Sequence, residues 1–334
     1  KHIQDQLLIT WFAVKTRLEE MEQDYIPYYE YARMCQTENV TDDLSQRTLI
    51  DFLHDLGIVL NFQDDPRLTD TNILNPEWVT KGVYKILNSN LLFQNKGVLE
   101  RQMLSQILDS RQYPKEKHLF IMDMMRKFEL CFDFEGFTDQ KFLIPDLLSK
   151  EEPYTGNWQG ALAFQYHYNV LPSSIISRFI VRMNAYIYKN TYWRNGVVLA
   201  YEQDKALVKA DIEDKKIFIG ISGTEKTRRT FLAIIRSQFD AIHKTIAKIE
   251  AEEKVPLPDH PEIVTDYDYL LKLERAGRTS FPAKIGEEIV DVNVKQLLDG
   301  VELEEERRER QENRLLENTF EPRPIQTTPK HTET

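Results

Sequence analysis

Cysteine is nearly missing from this 334-residue chain. Cys35 and Cys131 are the only two, too few for a disulfide framework or a four-ligand zinc site. Both read as buried thiols of a cytosolic protein. No apolar run approaches the roughly 18 residues that cross a bilayer, and no signal-peptide pattern is present, so neither membrane nor secretion is indicated. A glycine-rich phosphate loop is missing as well. The nearest stretch, "ISGTEKTRR" from Ile221 to Arg229, has one glycine and a misplaced lysine, and reads better as strand, capping box and helix. "QNKGV" lacks the aspartate of a guanine-reading motif. No two histidines stand at i, i+4 beside a carboxylate, and there is no Gly-x-Ser-x-Gly elbow. A Cys–His pair, whose members meet only in space, has no supporting motif. Basic excess is lacking too. A net charge of −11 argues against a phosphate backbone as partner, although a local patch can override the total.

What is present is ordinary apolar and charged content, enough for two domains with sizeable cores. The chain opens on Lys1 and reads as a segment of something longer. Residues 1–35 give one or two helices, with Leu7, Leu8, Trp11, Val14 and Leu18 at helical spacing. "DDLSQRTLIDFLHDLGIVLNF" predicts a helix with Leu49, Phe52, Leu53 and Leu56 on one face, stopped by Gly57 before a strand from Ile58 to Phe62. Asn75 followed by Pro76 is an N-cap that starts a helix through Leu87. "ELCFDF" and "KFLIP" flank a turn and predict a hairpin. Helices followed by a small hairpin suggest a winged-helix-like arrangement.

"EEPYTGNWQG", Glu151 to Gly160, is turn-rich and marks the boundary between halves. Beyond it, Pro172 begins a helix with Ile175, Ile176, Phe179, Ile180 and Met183 as buried stripe. Strands near Val197–Glu202, Ala206–Ile212 and Lys216–Ile221, joined by short turns, predict an antiparallel meander. Ser222 and Glu225 form the capping box of a long helix that rests on it. A helix around Tyr267–Ala276, a strand near Ile289–Val294 and a short helix "VKQLLDG" follow. After Gly300 the residues are charged, with Glu304–Arg308 and Glu306–Arg310 at supportive spacing. The fold class is α+β, in two subdomains: a helical half with a small antiparallel, winged-helix-like sheet, and a half with an antiparallel meander packed on helices. The expected bounds are 1–156 and 157–300, with 301–334 a charged helical or disordered tail.

Candidate chemistry is thin. His167, inside "FQYHYN", reads as a partly buried structural histidine rather than a catalytic one. The acidic pairs Asp42–Asp43, Asp64–Asp65 and Glu287–Glu288 fall in turns, where solubility suffices as a reason. Lys215, Lys216, Lys226, Arg228 and Arg229 cluster at the last meander turn and the following helix. They suit a phosphate contact, or a solvated rim cancelled by Asp211, Glu213, Asp214 and Glu225.

"LPSSIISRFIVRMNAYI" with Arg178 and Arg182, then Tyr192-Trp193-Arg194-x-Gly196 and the meander, resembles the C-terminal half of the COR domain. "FLHDLGIVLNF" and "ILNPEWVTKGVYKIL" resemble its N-terminal half. Over roughly residues 1–300 the chain is identified as similar to the COR domain of a prokaryotic Roco protein. In that family COR follows a Ras-like GTPase domain, Roc, often with leucine-rich repeats upstream. The resemblance implies a non-catalytic, cytoplasmic, homodimerising element that couples two Roc domains. GTP or GDP and magnesium belong to Roc, and no cofactor, membrane or nucleic acid to this segment. It places Tyr166, His167 and Tyr168 near the Roc-facing side, with Tyr166 and Tyr168 as Roc contacts and Tyr168 partly exposed. Tyr188, Lys189, Asn190 and Tyr192 lie where two COR domains meet. Trp193 is then a packing residue and Arg194 its polar neighbour. The other class of function is a winged-helix nucleic-acid binder using Pro76–Leu87, which offers only Lys81 and Lys85 as cations.

Overall fold

The structure is a computed structural model and describes residues 2–309. It begins with helix α1 (His2–Glu19), strand β1 (Tyr25–Pro27), α2 (Tyr28–Thr37) and α3 (Asp43–Asp55). Next come β2 (Thr71–Ile73), α4 (Pro76–Leu87), α5 (Asn90–Gln94), β3 (Val98–Glu100), α6 (Leu104–Ile107), α7 (His118–Lys127), β4 (Phe132–Asp133) and β5 (Lys141–Leu143). The expected caps form: Asp42 accepts from Ser45 N before α3, and Asn75 accepts from Glu77 N before α4 with Pro76 in the first turn. The face of α3 differs from expectation. Gln46, Leu49, Ile50 and Leu53 are buried, whereas Phe52 and Leu56 are exposed. The strand expected at Ile58–Phe62 is reduced to one bridge, Leu60 to Ile73. The hairpin across "EGFTDQ" is present, and β3 joins it to give the order β3-β5-β4. One core gathers Val14, Ile26, Tyr31, Leu49 and Leu53, and a second gathers Trp78, Ile86, Leu99, Ile121 and Phe142. The cations of α4 are engaged: Lys81 pairs with Glu77, and Lys85 bonds Gln112 and lies over the Tyr113 ring.

The remaining elements are β6 (Leu162–Tyr168), α8 (Ser174–Arg182), β7 (Ile187–Trp193), β8 (Gly196–Tyr201), β9 (Asp204–Asp211), β10 (Lys216–Ser222) and α9 (Glu225–His243). They are followed by β11 (Ala251–Leu257), β12 (His260–Asp266), α10 (Tyr267–Arg275), β13 (Ser280–Ile285), β14 (Glu288–Asn293) and α11 (Val294–Val301). Two compact units result. The first takes residues 1–153, 174–185 and 192–195; the second takes 154–173, 186–191 and 196 onward. The helix α8 and the Trp193–Arg194 corner therefore pack with the first unit, although they lie beyond the turn-rich boundary in sequence.

The three-stranded meander is the middle of a larger sheet, ordered β12-β11-β6-β10-β9-β8-β7. Strands β11 and β12 run through "VPLPDHP", a stretch that local proline rules read as a break. Pro256 sits at a register shift between those strands, where a ladder tolerates proline. Ile217 opposes Tyr166 and Ile219 opposes Phe164, so cross-strand partners put these side chains on one buried face. Both α9 and α10 lie on that face, through Tyr166–Phe239 and Phe164–Tyr267 ring contacts. Thus α10 does not cover the second face, where Phe218 is half-buried.

The long helix starts later than the Ser222–Glu225 pattern predicts. Thr224 is its N-cap, accepting from Thr227 N at 3.3 Å, while Ser222 still pairs with Lys205 in the sheet. Gly223, at φ +137°, makes the turn between strand and helix. The charged stretch after Gly300 is helical at 304–309, and Arg307 is only 1% exposed. It is held by Glu274 and Asp299, so this part is anchored rather than solvated. Glu304 pairs with Arg308, while Arg310 lies outside the described residues.

Candidate functional site

Strand alternation sends Phe164, Tyr166 and Tyr168 toward α9 and turns His167 away. Tyr166 is 1% exposed and its hydroxyl donates to Glu253 Oε1 at 3.3 Å. Arg236 of α9 grips the same carboxylate with two bonds, at 2.9 and 2.8 Å, and lies over the rings of Phe164 and Tyr267. Tyr168 is 7% exposed, which overturns the expected partial exposure. Its hydroxyl lies 3.0 Å from His243 Nε2, and the two rings meet edge to face. Burial drives both phenols well above their ordinary range, with Glu253 adding at Tyr166 and Asp240 at Tyr168. Burial also holds His243 below the usual histidine value. His167 is half-buried and bonds Gln165.

The second group of residues lies on β7. Lys189 and Asn190 both have positive φ, 47° and 54°, which breaks the regular pleat of β7 at two exposed residues. The Tyr188 ring sits between Lys205 Nζ at 4.2 Å and Lys189 Nζ at 5.3 Å. Hydrogen bonding from Lys205, then from Lys189, lowers the Tyr188 phenol below its ordinary value. Tyr192, two residues on, packs with the first unit instead. It borders a 450 Å³ pocket beside Asn95, Leu148 and Ser149, and burial raises its phenol. Tyr188, Lys189 and Asn190 are therefore brought together, and Tyr192 takes a separate environment.

The arginines of the α8 motif have a partner that sequence could not reveal. Glu129, at φ +57° just after α7, accepts from Arg178 Nε at 2.7 Å and from Arg182 Nη1. The i, i+4 spacing of the two arginines was visible, but a carboxylate 49 residues upstream was not. Trp193 is 3% exposed, a packing residue, and Arg194 donates to the carbonyls of Ser149 and Leu148. Among the described residues no group of three or more His, Cys, Asp or Glu could hold a metal ion. No helix there is long and apolar enough to cross a membrane.

Two family descriptions match in succession: "C-terminal of Roc, COR-A domain" over residues 9–148, and "C-terminal of Roc, COR-B domain" over residues 159–300. The chain belongs to the COR domains of Roco proteins. The COR chain is 27% identical over 212 residues to the probable serine/threonine-protein kinase pats1 of Dictyostelium discoideum, covering 59% of this chain and 7% of that protein. It is 25% identical over 228 residues to a Roc-COR-CHAT protease of an unknown prokaryotic organism, covering 65% and 21%. The chain thus spans less than a quarter of these curated relatives. A solved structure of Methanosarcina barkeri Roco2 RocCORdC bound to GDP shares 46% identity. It covers 42% of this chain and 43% of that one, with a TM-score of 0.39.

Proposed function

We propose that this COR domain is a non-catalytic dimerisation and coupling element, pairing two copies of its parent so that adjoining Roc GTPase domains influence one another. The ordered COR-A and COR-B matches carry the reading. The site geometry adds to it: Lys189 and Asn190 are exposed at a break in the pleat of β7, which suits a recognition element. The burial of Tyr166 and Tyr168 refines their part. They act on a Roc contact by locking β6 to α9, not by laying an open ring on a partner. The bound GTP or GDP and magnesium belong to Roc, upstream in the parent, and the parent works in the cytoplasm. The sequence domains are 1–156 and 157–300.

The test is multi-angle light scattering on residues 1–334. Twice the chain mass at micromolar concentration supports the reading. Lys189→Glu and Asn190→Asp should weaken the pair while the circular dichroism spectrum is preserved. A strictly monomeric chain at a hundred micromolar sinks the dimerisation reading. Stoichiometric GTP binding by the chain in calorimetry sinks the assignment of the nucleotide to Roc.

A further inference from the structure

The basic cluster at the start of α9 is left unexplained by dimerisation, and its cancellation by nearby acids is loosest at Arg228, whose ion pair with Glu225 spans 4.0 Å. Arg228 is 22% exposed at its side chain, yet its guanidinium makes no hydrogen bond among the described residues. Its nearest carboxylate, Glu225, is 4.0 Å away, beyond bonding distance. Its Nε is shut off from solvent without an acceptor. Arg229, by contrast, is satisfied by the carbonyl of Asp299. A guanidinium carries five donors and stays charged, so shutting its Nε off without an acceptor is costly.

Arg228 lines a cavity of the second unit of about 1210 Å³. Trp158 lines it too, and the indole Nε1 is a second buried donor with no acceptor. The Trp158 ring lies over Gly220, where an added Cβ would come within 3.9 Å of it, and Leu207, Phe218 and Leu257 extend the apolar wall. Of the charges on the lining, Glu225, Asp259 and Glu262 are exposed, while Arg228, Arg229, Lys209 and Asp299 are half-buried, Asp299 being paired with Arg307. Arg228 also stands in the first turns of the 19-residue α9, whose N-terminal end is positive. A partly exposed guanidinium, a positive helix end and an apolar wall are all complementary to one kind of molecule.

We propose that this cavity is a binding site for a small organic anion with an apolar body, its carboxylate or sulfonate meeting Arg228 and its body lying along Trp158, Phe218 and Leu257. The fork of a guanidinium matches such an oxyanion with two charge-assisted bonds. The cavity exceeds the usual range of about 300–1,000 Å³ for small-molecule sites, which leaves room for several rings or a long chain. The site lies apart from the break in β7, so it is an additional property of the domain.

The probe is 8-anilinonaphthalene-1-sulfonate, titrated into the 334-residue chain by fluorescence and checked by calorimetry. Saturable one-to-one binding is expected. Arg228→Gln should weaken it about tenfold or more, the loss of a charge-assisted bond. Arg228→Lys, which keeps the charge, should retain more affinity than Arg228→Gln. Trp158→Phe replaces the indole by the smaller phenyl ring, removing part of the apolar wall together with the N–H, and should weaken binding about threefold. The uncharged analogue N-phenyl-1-naphthylamine should bind more weakly than the sulfonate. Equal affinity for Arg228→Gln and the parent chain, both with native circular dichroism, overturns the proposal. So does equal binding of the neutral analogue, or the lack of saturable binding. Should Arg228→Gln fail to fold, Trp158→Phe and the neutral analogue decide it.

Discussion

Replacing Tyr168 by alanine tests whether β6 is architecture or open surface. The ring is 7% exposed, touches the rings of Tyr166 and His243, and carries a hydroxyl 3.0 Å from His243 Nε2. Burying about 150–200 Å² of aromatic side chain at ~25 cal/mol per Å² gives about 4–5 kcal/mol, an upper bound. Measured losses for buried aromatics replaced by alanine run about 3–5 kcal/mol. Tyr168→Phe removes only the hydroxyl and should cost about 1 kcal/mol. The assay is urea unfolding followed by far-ultraviolet circular dichroism, with hydrogen exchange in β6 as the local readout, because two compact units need not unfold together. At 1.4 kcal/mol per factor of ten, Tyr168→Ala should shift the unfolding equilibrium of the second unit by at least about a hundredfold. A loss below about 1 kcal/mol, with β6 amides still protected, would show an ordinary surface site and refute the packing argument.

Three further outcomes follow from named contacts. The His243 pKa is lowered on folding, mainly by burial, so the unfolded chain binds that proton first as pH falls. The stability it contributes is complete above the unfolded value, about 6.5, and is lost as pH drops through the lower folded value. His243→Phe should flatten the pH dependence between about 7.5 and 5.5, and an unchanged slope would remove His243 from the account. Gly223→Ala places a Cβ 1.9 Å from Asp204 Oδ1, at φ +137° and against a buried side chain. It should cost at least about 2 kcal/mol, with part recovered in Gly223→Ala with Asp204→Ser, which a double-mutant cycle would detect. Arg307→Met strands Glu274 and Asp299 without their cation and should cost about 3–5 kcal/mol, read as a lower thermal midpoint.

Much of the architecture was legible because local rules and tertiary structure agreed. Asn75 with Pro76 starts a helix wherever it is placed, since orphan amides at the helix start want an acceptor and proline has no amide to satisfy. The apolar spacing of α8 and the period-2 alternation of β9 and β10 needed only a face to bury, and found one. Where proline carried the signal inside a strand, as in β11 and β12, the same local rules misled, because a bulge absorbs what a regular ladder would reject.

From sequence alone came the absence of a phosphate loop, the COR-like order of motifs, most helices and the central strands. Each depends on residues near one another in the chain, whose capping, turn chemistry and periodicity act before any long-range contact forms. Only the tertiary structure showed that α8 packs with the first unit through Glu129, and that Tyr168 is closed over by His243. It alone showed Arg307 buried between two acids and Arg228 left without an acceptor beside a cavity. These are pairings across about 8 to 75 residues, and a side chain's charge or polarity states what it needs without saying which distant group supplies it.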